Sequence, residues 1–233
     1  MKIFRTMLTA ALTVMMLICL SGCSVKLNYN YDNADKYIPG DREITEKIEN
    51  IDIDYMAGNV TVKGDKTTAV TVMETSETEI DDNLKVHTWV DGSTLHVKYC
   101  AAGKVLSIKD LKKTLEITVP ADVKLSDLSI DASAGDVDVT AESIGKLAID
   151  ISSGNMKFSA DKVPEKSEID AAAGNVEIYM PEKTDMTLKA DISAEDFKSE
   201  IPFTKKGDAY IFGNGKSRMD IDASAGNINI KKK

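Results

Sequence analysis

Six ten-residue segments of this chain share one pattern. "IDYMAGNVTV" (53–62), "IDASAGDVDV" (130–139), "IDISSGNMKF" (149–158), "IDAAAGNVEI" (169–178), "ADISAEDFKS" (190–199) and "IDASAGNINI" (221–230) align on a central glycine. The fifth is worn, with Glu195 in place of Gly and Ala190 in place of Ile. Asp131, Asp150, Asp170 and Asp191 follow one another at intervals of 19, 20 and 21 residues. A period of about 20 residues marks stacked supersecondary units; it is too short for a helical hairpin and suits one turn of a β-solenoid. Within a copy, Ile130 and Ala132 alternate with Asp131 and Ser133, the two-residue period of a half-buried strand. Gly135 breaks the run, Asp136 tolerates left-handed backbone angles, and Val137 and Val139 resume the alternation. Each copy therefore predicts two short strands meeting at a corner, with copies stacked about 4.8 Å apart. No copy can bury its apolar face alone, so each supplies one layer of a shared core.

The expected fold class is all-β, a single β-solenoid over residues 49–233. Low aromatic content, 6%, against 42% hydrophobic residues agrees with narrow stacked strands rather than a wide pocket. "DREITEKIEN" (41–50) reads as a strand entry and "KVLSIKDLKK" (104–113) as a short helical turn. The closing "KKK" (231–233) is placed at an open edge, where lysines discourage aggregation.

The first residues have a different logic. Lys2 and Arg5 precede the apolar "MLTAALTVMMLICL" (7–20), and small residues lead to Cys23 in "LSGC". This is the layout of a signal peptide, and Leu-Ser-Gly-Cys resembles the lipobox of bacterial lipoproteins. The resemblance implies a signal over 1–22, diacylglycerol on the Cys23 sulfur, and residues 23–48 as a partly ordered tether. An ordinary secretory signal or an uncleaved anchor are the alternatives. Cys100 is then the one thiol left for the mature domain, a small strand residue with no partner for a disulfide. The formal charge of −9 becomes −11 once Lys2 and Arg5 are removed, and such a surface excludes nucleic acid as a partner.

"IENIDIDYMAGNVTV", "SIDASAGDVDV" and "YIFGNGKSRMDIDASAGNINI" resemble the bacterial envelope family labelled "putative adhesin", over roughly residues 48–230. The resemblance implies a β-solenoid in a cell-envelope protein; with the lipobox, the expectation is a domain outside the cytoplasm held to the bilayer through lipidated Cys23. The resemblance adds adhesion or an association with envelope stress to the expected role, which is non-catalytic binding or scaffolding in the envelope, with a cell-wall polymer or an envelope protein as partner. It brings no catalytic residues and no cofactor. The rival expectation is a carbohydrate-active enzyme on the same scaffold, marked by an aromatic-lined cleft with two convergent carboxylates.

Three constellations invite chemistry. Asp54, Asp131, Asp150, Asp170, Asp191 and Asp222 fall at one position of every copy. Stacked in register they would repel by about 1 kcal/mol per neighbouring pair in water-like surroundings. Calcium bridging would offset this; backbone hydrogen bonds or exposure to water would make the aspartates architectural. The second is a hairpin, "LKVHTWV" (84–90) and "TLHVKYC" (94–100), around Asp91-Gly92. Pairing Val86 with Val97 sets His87 opposite His96, a possible metal-binding or pH-sensitive pair beside two lysines, or two solvated surface histidines. The third is Trp89, an exposed ring on which a sugar could stack.

Overall fold

The computed structural model describes residues 26–107, 113–192 and 196–233. The signal segment, Cys23 and Glu195 lie outside them. β1 (Lys26–Tyr29), β2 (Ile38–Pro39) and β3 (Arg42–Ile44) come first, and β4 (Asn50–Tyr55) with β5 (Asn59–Asp65) forms the first copy. β6 (Val70–Ser76), β7 (His87–Asp91), β8 (Thr94–Lys98), β9 (Lys104–Ser107) and β10 (Lys113–Pro120) follow. The second copy is β11 (Leu125–Ala132) with β12 (Val137–Ala141), and the third β13 (Ile144–Ile151) with β14 (Met156–Ala160). The fourth is β15 (Lys166–Ala171) with β16 (Val176–Met180), and the fifth β17 (Met186–Ile192) with β18 (Phe197–Ser199). β19 (Thr204–Lys206) and β20 (Ala209–Phe212) make a hairpin before the sixth copy, β21 (Ser217–Ala223) with β22 (Ile228–Lys232).

The expected all-β solenoid is what the chain builds. Each copy places its first strand in an 11-stranded sheet and its second in a 9-stranded sheet, the two joined at the glycine corner. Parallel pairing aligns Ile53, Ile130, Ile149, Ile169 and Ile221 in one inward column. Facing it, Ile117, Val62, Val139, Phe158, Ile178 and Ile230 form the column of the other sheet. All of these side chains are buried, and together they make one continuous core.

The corners explain the glycines. Gly58, Gly135, Gly154, Gly174 and Gly226 have φ between 102° and 143°, while the Asn or Asp that follows each does not enter the left-handed region. The glycine alone therefore takes the turn, and Asp136 has another task. Asp136 N donates to Asn59 Oδ1 (3.1 Å), Asn155 N to Asp136 Oδ1 (2.8 Å), Asn175 N to Asn155 Oδ1 (3.1 Å) and Asn227 N to Asn175 Oδ1 (3.1 Å). Side-chain amides of Asn155, Asn175 and Asn227 donate to the same oxygens. This ladder continues the interlayer bonding across the bend.

Layer order departs from chain order. The 11-stranded sheet runs β4-β11-β13-β15-β21-β17, and the 9-stranded sheet runs β5-β12-β14-β16-β22-β18 over the same copies. The sixth copy thus lies between the fourth and the fifth, and the worn fifth copy is the last layer of the shorter sheet. Lys231–Lys233 accordingly do not guard an edge: Lys231 pairs with Glu177 (2.6 Å), Lys232 with Glu182 (2.7 Å) and Lys233 with Asp161 (2.6 Å).

Residues 26–48 are not a tether within their described part. β1 pairs with β9, β2 with β7 and β3 with β6, and Tyr29, Ile44 and Ile48 enter the core. The first copy shares the main stack, since β4 pairs with β11 on one side and β8 on the other. Instead of a helical turn at 104–113, β9 and the start of β10 are strands, with 108–112 outside the described residues.

Gly154→Ala would set a Cβ 2.0 Å from the Gly135 carbonyl oxygen at a φ of 143°, so it should destabilise the domain by about 3 kcal/mol or more. Asn155→Ala removes exposed ladder bonds only and should cost about 1 kcal/mol. Urea unfolding of the two variants checks the order; an equal loss would mean the corner is not set by Cβ exclusion.

Candidate functional site: a row of aspartates on the larger sheet

The alternation that turns isoleucines inward turns aspartates outward. The register aligns Lys98, Asp54, Asp131, Asp150, Asp170, Asp222 and Asp191 across seven neighbouring strands. The sequence-predicted column therefore exists, in the spatial order of the layers. Lys98 Nζ caps it, 3.2 Å from Asp54 Oδ2. Among the described residues, Asp131, Asp150 and Asp170 have no cation within 4.0 Å. Burial against the sheet, and after it the neighbouring carboxylates, pushes the Asp131 and Asp170 carboxyls up to about 6; Asp150 is raised by burial. The row one step along the strands is better neutralised, with Asp220 held by Arg218 (2.8 Å) and Glu168 beside Lys166 (3.6 Å).

The carboxylates stand in line at strand spacing rather than converging. Among the described residues no three His, Cys, Asp or Glu side chains group closely enough to hold a metal ion. A hollow of about 170 Å³ on the row is lined by Glu168, Asp170, Lys189, Asp191, Asp220 and Asp222. A larger hollow of about 570 Å³ lies elsewhere, lined by Asp41, Glu74, Glu77, Glu79 and Lys85 with no aromatic ring.

At the head of the row the hairpin departs from its expected register. Gly92, with φ of 60°, is the first residue of the two-residue turn, so Asp91 remains in β7. His96 then faces Trp89, and His87 faces Lys98. The two histidines share the outer face but are not opposed. His87 is buried, its Nδ1 2.9 Å from the Lys85 carbonyl, and His96 Nδ1 lies 3.0 Å from Asp52 Oδ2. Trp89 is not a bare platform: His96 stacks on it (5.2 Å), Tyr37 meets it edge-on (5.7 Å), and Lys36 Nζ lies 4.5 Å from the ring centre. Tyr37 comes from the segment expected to be a tether, and its hydroxyl is pushed up to about 12 by burial and by Asp52 and Asp54.

A buried charge pair went unnoticed in the sequence. Lys113 Nζ contacts Glu74 Oε1 (2.9 Å) and donates to the carbonyls of Leu84 (2.6 Å) and Tyr99 (2.5 Å). Glu74 also accepts from the Tyr55 hydroxyl (2.8 Å) and the Val86 N–H (2.8 Å). Burial holds the Lys113 pKa below the usual lysine range, but its donors are all engaged, so the group is a clamp rather than a nucleophile. Cys100 is equally inert, buried with its thiol pushed up to about 11.

Residues 121–231, which contain the second to sixth copies, match the family described as Toastrack DUF4097. The fold is similar to that of a "putative cell adhesion protein" from Clostridium sporogenes ATCC 15579, with TM-score 0.61 at 14% identity. That match covers 85% of this chain and 100% of the other. A "putative adhesin" from Bacteroides fragilis NCTC 9343 aligns over 85% of this chain and 97% of its own, at 14% identity and TM-score 0.32. At these identities the likeness is one of fold. No curated protein sequence matches the chain.

Two predictions follow from charge. Asp131 and Asp170 hold protons more tightly folded (about 6) than at the ordinary 3.8, so the folded state binds more protons between those values. Stability therefore rises as pH falls from above 6 toward the ordinary 3.8. Below that it declines, because Glu177, kept low by Lys231, must be protonated. Asp170→Asn should raise Tm at pH 7.5 and flatten the rise on acidification; an unchanged pH profile would show the row to be fully solvated. Lys113→Ala, which strands the Glu74 carboxylate, should cost about 3–5 kcal/mol in a denaturant titration.

Proposed function

We propose that this chain, which carries a Toastrack DUF4097 domain over residues 121–231, is a lipid-anchored bacterial lipoprotein outside the cytoplasm. Its solenoid serves as a non-catalytic binding or scaffolding module of the cell envelope. Residues 1–22 are its signal and Cys23 its lipid site, and the folded domain begins with β1. No helix among the described residues is long and apolar enough to cross a membrane; the anchor in this proposal is the lipid on Cys23.

The observation that carries the binding role is the aspartate row. Equal side chains repeat at strand spacing along an open sheet face, a geometry suited to many weak contacts with an extended partner. Partial burial, and beside it the neighbouring carboxylates, make the negative charges of this row costly until a cation or proton arrives. The partner is therefore a basic protein surface, or a wall polymer engaged through cations. The description of the Clostridium sporogenes protein, "putative cell adhesion protein", agrees with this role.

Full-length protein incubated with separated peptidoglycan, anionic wall polymer and membrane-protein fractions, with and without millimolar calcium, tests the reading. Saturable capture by one fraction is expected, reduced about tenfold in the Asp150→Asn, Asp170→Asn, Asp222→Asn triple variant. Capture that ignores the triple substitution would move the site off this face. In parallel, Cys23→Ala should abolish incorporation of labelled palmitate and release the protein from membranes.

A further inference from the structure

We infer that the β1–β9 ribbon lies directly against the lipid bilayer, with Val105 entering its interface, so that the domain sits on the membrane instead of swinging above it. This rests on the lipidation of Cys23 proposed above.

Covalent geometry supplies the first constraint. Cys23 precedes Lys26, the first residue of β1, by three residues. Three Cα steps span at most about 11 Å, far short of what residues 23–48 would allow as a tether. β1 cannot peel away to lengthen the link, because it is tied on several sides. Four residues pair with β9, from Lys26 opposite Ser107 to Tyr29 opposite Lys104. The buried Tyr29 side chain donates its hydroxyl to the Asp54 carbonyl (3.2 Å) and accepts from the Tyr99 N–H (3.1 Å). Its ring meets those of Tyr31 and Tyr99 edge-on at 5.5 and 6.5 Å. Releasing β1 would break into the core.

Surface chemistry supplies the second constraint. Val105 is 60% exposed, the highest value among the exposed large hydrophobic residues described. It sits on β9 opposite Asn28, on the side of the ribbon turned away from the buried Leu106. Lys104 alternates to the other face of β9, so Val105 presents an exposed apolar side chain on its own face, which suits the boundary between acyl chains and head groups. A lipid held within about 11 Å brings that surface to the bilayer without requiring strong affinity of its own. The aspartate row begins beside this ribbon at Asp54 and runs away from it through five strand steps, about 24 Å, to Asp191.

The test uses the lipidated full-length protein in phosphatidylethanolamine–phosphatidylglycerol vesicles. Val105→Cys and, at the far end, Lys206→Cys are labelled with a fluorophore; Cys100 is buried and resists labelling. The label at 105 should be quenched by aqueous iodide at least about threefold less than the label at 206. That protection should vanish in Cys23→Ala, Val105→Cys protein mixed with the same vesicles. Equal quenching at both positions in protein whose mass includes the lipid would overturn the membrane contact and leave the lipoprotein reading standing. A mass without lipid would overturn both.

Discussion

A Cβ built on Gly135 lies 2.1 Å from the Gly58 carbonyl oxygen; on Gly154 it lies 2.0 Å from that of Gly135, and on Gly174 1.8 Å from that of Gly154. Gly226 repeats the contact against Gly174 at 1.9 Å. Each corner thus fills the space that a side chain would need on the next. With glycine there, Gly135 N reaches Ser153 O at 2.9 Å and Gly154 N reaches Ala173 O at 2.9 Å, so hydrogen bonding between layers runs around the bend. At Gly135, Gly154, Gly174 and Gly226 a side chain would force the layers apart or drop those bonds. The asparagine ladder, the isoleucine columns and the aspartate row all presuppose the spacing that these glycines permit.

The core and the aspartate row are two faces of one register. A one-residue slip in any strand would turn its isoleucine to solvent and its aspartate inward, and the cost of burying a charge forbids that. Apolar burial therefore lines up the carboxylates, against their mutual repulsion. At Asp131 and Asp170 partial burial and, after it, the neighbouring carboxylates raise the pKa. Fold stability and surface electrostatics are consequently opposed along this face, and a bound cation or basic partner would relieve the opposition.

The copies, their glycines and the alternation of Ile with Asp were legible because they are local and repeated. Layer order was not, for the same reason: copies that look alike are equally good neighbours, and nothing in "IDASAGNINI" says that it belongs beside "IDAAAGNVEI" rather than after "ADISAEDFKS". Residues 26–48 hid their structure in short strands whose partners lie far along the chain, with Tyr29, Ile44 and Ile48 too scattered to show a period. The hairpin register turned on one detail, the placement of Gly92 first in the turn, which shifted His96 onto Trp89. Lys113 and Glu74 gave no signal at all, since a buried ion pair looks like two surface charges until the strands that carry it are assembled.

The position of the sixth copy bears on how the chain reaches its final form. β21 pairs with β15 and β17 at once, and β22 with β16 and β18. During synthesis from the N-terminus, the first four copies can stack as they emerge, but the fifth has no finished neighbour to rest on. Its place is two strand spacings, about 9.6 Å, from the fourth until the closing residues arrive to fill the gap. A nascent chain halted at residue 216 would therefore be more than one layer short. It would expose two unsatisfied sheet edges facing one another across an empty slot, the kind of surface that recruits strands from other chains. Completion of this domain waits on residues 217–233, which act as its keystone.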